Sequence, residues 1–174
     1  MVVDGDGIFG WLRKLFTPPD LEKELQDALA VLYSADKWCK TVVDTVSDKG
    51  ITVKFQAGEL KNSTLATTEI TNSTATVTVD IGKVHRAHDN LIPVLAHEIF
   101  HIYQAHLDRG VDSFCSIVQR DKNLPWDQRE LEIGAVTYED TLRASLLKNP
   151  YWKGKMAPTR REAQRIAARF GYMH

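Results

Sequence analysis

His97-Glu98-Ile99-Phe100-His101 spaces two imidazoles four residues apart, with a carboxylate directly after the first. On a helix, side chains at i and i+4 stand one above the other on one face, so the two rings can grip a single metal ion. Zinc held there would lower the pKa of a water to about 7. Glu98 is rotated around the helix and is not placed as a third ligand. It can reach that water and take its proton as a general base. Leu95, Ala96, Ile99, Phe100, Ile102 and Tyr103 surround the pair and mark the helix as largely buried. Buried imidazoles need partners for their nitrogens, and a metal ion supplies one to both.

A catalytic zinc site needs a third protein ligand and one open position. A metzincin extension would place Gly at 104 and His at 107, where this chain has Gln104 and Leu107. His106 lies five residues beyond His101, on the wrong side of the helix. Glu132-Ile133-Gly134-Ala135 is the better source. Glu132 falls early in a later helix, with Ala135 and Val136 on its own side, and Gly134 and Ala135 are small enough to let that helix approach the metal helix closely. Glu130 is the competitor, but it pairs with Asp127 in the pattern of a capping box. Glu132 is therefore the expected third ligand.

The elements that must position these groups follow from local pattern. Asp20 reads as the N-cap of one long amphipathic helix ending near Asp48-Lys49, with Gly50 as its C′ residue and Cys39 on the buried stripe as a packing thiol. From 51 to 81 β-branched residues alternate, predicting strands at 51–55, 64–70 and 74–81 in an antiparallel hairpin or meander turning at Asn72-Ser73. Val77, Val79 and Ile81 share one face of the last strand. Asp89 or Asn90 can cap the metal helix, which runs to about Leu107 with Gly110 as its stop signal. Asp127 with Glu130 opens the glutamate helix to about Lys148, closed by Asn149-Pro150. Residues 108–126 read as loop.

His97-Glu98-x-x-His101 followed by Glu132-x-x-Ala135 on a later helix resembles the gluzincin metallopeptidases, whose glutamate ligand sits in an ExxA or ExxS context. With Gln104 three residues past the second histidine, the chain is similar to small zincin-like domains carrying HExxHxxQ. The resemblance covers roughly residues 20–148. It implies an α+β zincin-like fold: an N-terminal long helix, a small antiparallel sheet, the metal helix and the glutamate helix. It also implies Zn2+ on His97, His101 and Glu132, with Glu98 as general base and an edge strand that binds an extended peptide by strand addition. Gluzincins often carry an Asp four residues after the glutamate ligand to orient the first histidine. Here that position is Val136, and Glu139, Asp140 or a backbone carbonyl are the alternatives. The family also stabilises the oxyanion with a Tyr or His. Tyr138, Tyr151, Tyr172, His85, His88 and His174 are all open for that role, each with a structural role as the simpler reading.

Length and composition agree with one globular domain carrying arms. The chain has 174 residues, 43% hydrophobic and 26% charged, which excludes wholesale disorder, collagen and coiled coil. No apolar run approaches the roughly 18–20 residues of a membrane span, and Asp4 and Asp6 stand where a secretory signal carries positive charge. Cys39 and Cys115 form no disulfide framework. A cytoplasmic or otherwise intracellular setting is expected. The division predicted is an arm over 1–19, a metallopeptidase domain over 20–150 and a basic helical extension over 151–174.

In the arm, Ile8, Trp11, Leu12, Leu15 and Phe16 share one helical face before Thr17-Pro18-Pro19, so residues 7–16 suit a membrane surface or a protein partner as well as their own domain. In the extension, Thr159 with Glu162 opens a helix. Residues 141–174 hold eight Lys and Arg against Glu162, net +7, which leaves −8 for the remainder of a chain whose formal charge is −1. Nucleic acid could meet Arg160, Arg161, Arg165 and Arg169, but a solvated helix face is the preferred reading. The expected function is a zinc-dependent peptidase acting on a protein or peptide. The alternative is a non-peptidase zincin-fold component of a larger assembly, docking through its arm or its basic end.

Overall fold

The computed structural model describes residues 20–87 and 89–153. The chain is mixed α and β, in the order α1 (Leu21–Ala35), α2 (Lys37–Asp48), β1 (Thr52–Ala57), β2 (Ala66–Ile70), β3 (Thr74–Val79), α3 (Ile81–Arg86), α4 (Leu91–Tyr103), α5 (Val111–Asp121) and α6 (Glu130–Leu146). A π turn at Gln104–Asp108 follows α4, and a 3-10 turn at Trp126–Gln128 precedes α6.

Asp20 caps α1 as expected, accepting from the Lys23 amide at 3.0 Å. The single long helix does not form. Asp36 breaks it with an extended backbone (φ −134°, ψ 100°), and its carboxylate accepts from the Trp38 amide at 2.9 Å to start α2. The apolar stripe runs through the break because Leu32 and Cys39 stay in phase and are both fully buried. Periodicity therefore could not reveal it. The break is held from outside the helix, because the Tyr138 hydroxyl on α6 donates to the Asp36 carboxylate. Helix α2 ends where predicted. Gly50 takes φ +81°, and its amide donates to Ser47 O at 2.9 Å.

The sheet is three-stranded in the order β1-β3-β2. β2 and β3 form the expected antiparallel pair, with Ala66 opposite Val79, Thr68 opposite Val77 and Ile70 opposite Ala75. β1 does not extend an antiparallel meander. It lies parallel to β3, with Thr52 opposite Thr74 and Phe55 opposite Val77, so the sheet is mixed. Alternation sets which residues share a face; it does not choose strand neighbours. The connection from β1 to β2 crosses the end of β3 and is clipped there by Asp80, which accepts from the Leu60 amide at 3.1 Å. β3 ends at Val79, not at residue 81. Asp80 then caps the unexpected helix α3 through the Lys83 amide at 2.9 Å, and Ile81 enters the core from that helix.

Ala75, Val77 and Val79 on the dry face of β3 are fully buried beneath the helices. Helix α4 runs through the centre of the molecule, and every residue from Leu91 to Ile99 is buried. Asn90 caps it through the Ile92 amide at 2.9 Å. Complete burial of Leu95, Ile99 and Ile102 contributes roughly 1.5–3 kcal/mol each. The 108–126 segment is not mostly loop, because α5 occupies most of it. Phe114 and Ile117 on α5 pack with Ala105 and Leu131 in a smaller apolar cluster.

The Asp127–Glu130 capping box does not form; Asp127 lies in the 3-10 turn and no side chain of the preceding residue caps α6. The cap comes from α5 instead. Asp121 accepts from the Glu130 amide at 2.9 Å, while Arg109 and Arg120 hold the Glu130 carboxylate at 2.5 and 2.7 Å. At the other end of the domain Trp152 packs against the main core, so burial continues past residue 150. The predicted arm over 1–19 and the terminal helix opened by Thr159 lie outside the described residues. No described helix is long and apolar enough to cross a membrane.

Candidate metal centre

His97, His101 and Glu132 converge, and their ligand atoms form a cluster that could hold a metal ion. The His97 and His101 Nε2 atoms are 3.2 Å apart. Glu132 Oε2 lies 3.2 Å from the first and 3.5 Å from the second. Zinc bonds of about 2.0–2.1 Å in a tetrahedron give ligand-to-ligand edges of ~3.3 Å, the size of this triangle. Both histidines are buried, while Glu132 keeps part of its side chain exposed, which opens one side of the cluster. Zinc is the expected metal; the cluster itself defines only a site of suitable size and donor type.

The outer nitrogens explain the aim of the rings. His97 Nδ1 lies 3.0 Å from Glu139 Oε2. An ionised carboxylate only accepts, so Nδ1 carries the hydrogen and Nε2 faces the cluster. Glu139, one of the alternatives left open by Val136, therefore holds the first histidine. Val136 lines the cleft and Asp140 is not the partner of His97. Glu139 is held in turn by Arg143 at 2.6 Å, and Arg143 makes a two-pronged pair with Asp89 at 2.8 and 2.9 Å. Burial pushes the Glu139 carboxyl up, but the His97 hydrogen bond and the Arg143 charge outweigh it and hold the group below the usual carboxylate range.

Burial alone would lower His97. Hydrogen bonds to Glu132 and Glu139, with the charge of Glu98, raise it to about 10. Glu132 is likewise pushed up by burial, but His101 and His97 bring it down to about 2. A metal ion entering the cluster competes with the proton on His97.

Glu98 is buried and borders the same cleft. Its Oε2 accepts from the Thr68 hydroxyl at 2.6 Å, which ties the carboxylate to strand β2. The cleft has a volume of about 840 Å3. Residues 63–68, including the start of β2, form one wall, and Phe114, Ile117 and Val118 of α5 form part of the other. Among the described residues β2 is an edge strand, paired only to β3. Trp126 stacks over His97 with ring centroids 5.9 Å apart and planes 15° apart.

The glutamate helix comes as close as its small residues allow. A Cβ on Gly134 would lie 3.0 Å from Gln104 Nε2 and 3.2 Å from Phe100 Cε1. Glu130 stays out of the cluster, but because of Arg109 and Arg120, not because of a capping box. His106 also lies outside the cluster, with its buried Nε2 unbonded.

The described oxyanion candidates are engaged elsewhere. Tyr138 bonds Asp36 and Cys39 behind α4, His85 bonds Glu24 at 2.6 Å, and Tyr151 is exposed against Trp152. His88, Tyr172 and His174 lie outside the described residues. Burial pushes the Cys39 thiol up to about 12, in keeping with a packing role.

Thr68, Arg143 and Asp89 were not anticipated. Arg143 at i+4 from Glu139 was legible as a helical pair, whereas Thr68 comes from a distant strand and left no local signal. No protein-family model matches the chain, and neither the curated proteins nor the solved structures contain a significant match to it.

Proposed function

We propose that the chain is a gluzincin-like zinc peptidase. The observation that carries this reading is the donor triangle of His97, His101 and Glu132 set beside a buried carboxylate, Glu98, in a cleft bordered by the edge strand β2. Zinc bound by the three side chains would supply a Lewis acid and bring a water's pKa to about 7. Glu98 takes the proton from the attacking water. Thr68 donates to Oε2 and holds the carboxylate in place, and the proton passes from Glu98 to the departing amide nitrogen. Glu139 and its Arg143 partner hold His97 in register throughout. The edge of β2 that faces away from β3 offers backbone groups to an extended peptide lying along the cleft. An α+β domain with helices, sheet, metal helix and glutamate helix in this order supports a zincin-like fold.

Metal content by plasma mass spectrometry, together with peptide-library hydrolysis, tests the reading. Wild type should carry about one zinc per chain and Glu132→Ala sharply less. Glu98→Gln should keep its zinc and lose roughly 10²–10⁴-fold in turnover. A wild type that takes up no zinc overturns the metal centre and the peptidase together. A zinc-loaded chain that cleaves nothing overturns the peptidase alone and favours the assembly-component alternative.

A further inference from the structure

Gln104 is 4% exposed and touches both halves of the metal centre. Its Oε1 lies 2.8 Å from His101 Nδ1, and its Nε2 donates to the Leu131 carbonyl at 3.0 Å. Leu131 immediately precedes Glu132. A primary amide has one donating and one accepting end, so donation to Leu131 decides which end meets the histidine. The accepting end does, and His101 Nδ1 must therefore carry its hydrogen. In the neutral ring that a metal ion needs, Nε2 then presents its lone pair toward His97 Nε2 and Glu132 Oε2.

We propose that Gln104 is a positioning residue that aims His101 into the metal centre and fastens it to the backbone beside Glu132, with Gly134 leaving the space its amide occupies. This rests on the metal-centre reading above. The two histidines are held by different devices. Glu139 holds His97 with a carboxylate tied down by Arg143, within the charged set on α6 and Asp89. Gln104 holds His101 with a neutral bridge between two helices, so it sets the separation of His101 and Glu132 as well as the tautomer.

Two further features single out this residue. The α-helix changes to π register at Gln104, where Arg109 N donates to Gln104 O at 2.9 Å, and such turns recur at functional sites. Any side chain at 134 would also press on the Gln104 amide, since a Cβ there would be 3.0 Å from Nε2.

The test compares wild type, Gln104→Met and Gln104→Glu by zinc affinity, measured by chelator competition, and by the melting temperature of the metal-free protein. Met keeps the shape and loses both hydrogen bonds. Glu keeps an acceptor for His101 but sets a carboxylate against the Leu131 carbonyl. Gln104→Met should bind zinc ~10–100-fold more weakly than wild type. Gln104→Glu should bind more tightly than Gln104→Met while melting lower. A residue that served only packing would give the same order in both measurements, and that result overturns the proposal. So does a Gln104→Met chain that binds zinc as wild type does.

If neither variant folds, ¹⁵N-edited NMR of zinc-loaded wild type decides. A slowly exchanging His101 Nδ1 proton is expected, and its absence overturns the assignment. A wild type that binds no zinc removes the metal centre itself and the proposal with it.

Discussion

Glu139 lies two turns beyond Glu132 on α6, and the two carboxylates flank the same imidazole: Glu132 Oε2 is 3.2 Å from Nε2 of His97 and Glu139 Oε2 is 3.0 Å from its Nδ1. One helix therefore supplies both a candidate ligand and the group that orients another ligand. Glu139→Ala should lower zinc affinity ~10–100-fold with the fold retained, and Glu139→Gln should fall between it and wild type. Chelator competition measures both. Equal affinity in all three proteins would remove Glu139 from the site.

Arg143 is buried between Asp89 and Glu139. Gln104→Met leaves neutral groups unpaired; Arg143→Met leaves two half-buried carboxylates without the guanidinium between them. The expected cost is about 3–5 kcal/mol of stability, larger than that of an ordinary surface ion pair. Denaturant unfolding checks this, and a loss below about 1 kcal/mol would place the pair in the solvated class.

The Thr68 hydroxyl touches the Glu98 carboxylate at 2.6 Å. Thr68→Val keeps the β-branched shape of β2 and removes the donor. It should leave zinc content and melting temperature near wild type while reducing kcat roughly tenfold, with Thr68→Ser recovering most of the loss. A Thr68→Val chain with full kcat would show that Glu98 needs no anchor on the strand.

Acid should loosen the α5–α6 junction. The Arg120 hydrogen bond and the Glu130 amide lower Asp121 from 3.8 to about 2. Its folded pKa lies below the unfolded one, so its contribution to stability is complete above about pH 4 and is lost as pH falls toward 2. Protection of the amides at the start of α6 against hydrogen exchange, relative to the intrinsic rate at each pH, should fall across that window in wild type. In Asp121→Asn that protection should already be lower at neutral pH, with a flatter pH dependence. Identical profiles would rule out Asp121 as the cap.

Local pattern alone determined the helix ends at Asp20 and Gly50, the dry face of β3, and the shared face of His97 and His101, and it narrowed the cap of α4 to Asp89 or Asn90. Each of these follows from residues within a few positions of one another, where backbone geometry dictates the outcome. Glu132 was within reach as well, because it stands in a small-residue context on a later helix, although the capping box used to set Glu130 aside does not form.

Tertiary structure decided the rest. The break at Asp36 depends on Tyr138, a hundred residues away in sequence. The parallel pairing of β1 with β3, the capping of α6 by Asp121, and the choice of Glu139 over Asp140 depend on which elements meet in the core. Gln104 could be seen in the motif, but its bridge to Leu131 exists only because α4 and α6 pack at the distance Gly134 permits. Buried polar groups must find partners wherever the fold puts them, and a sequence read in short windows holds no record of those meetings.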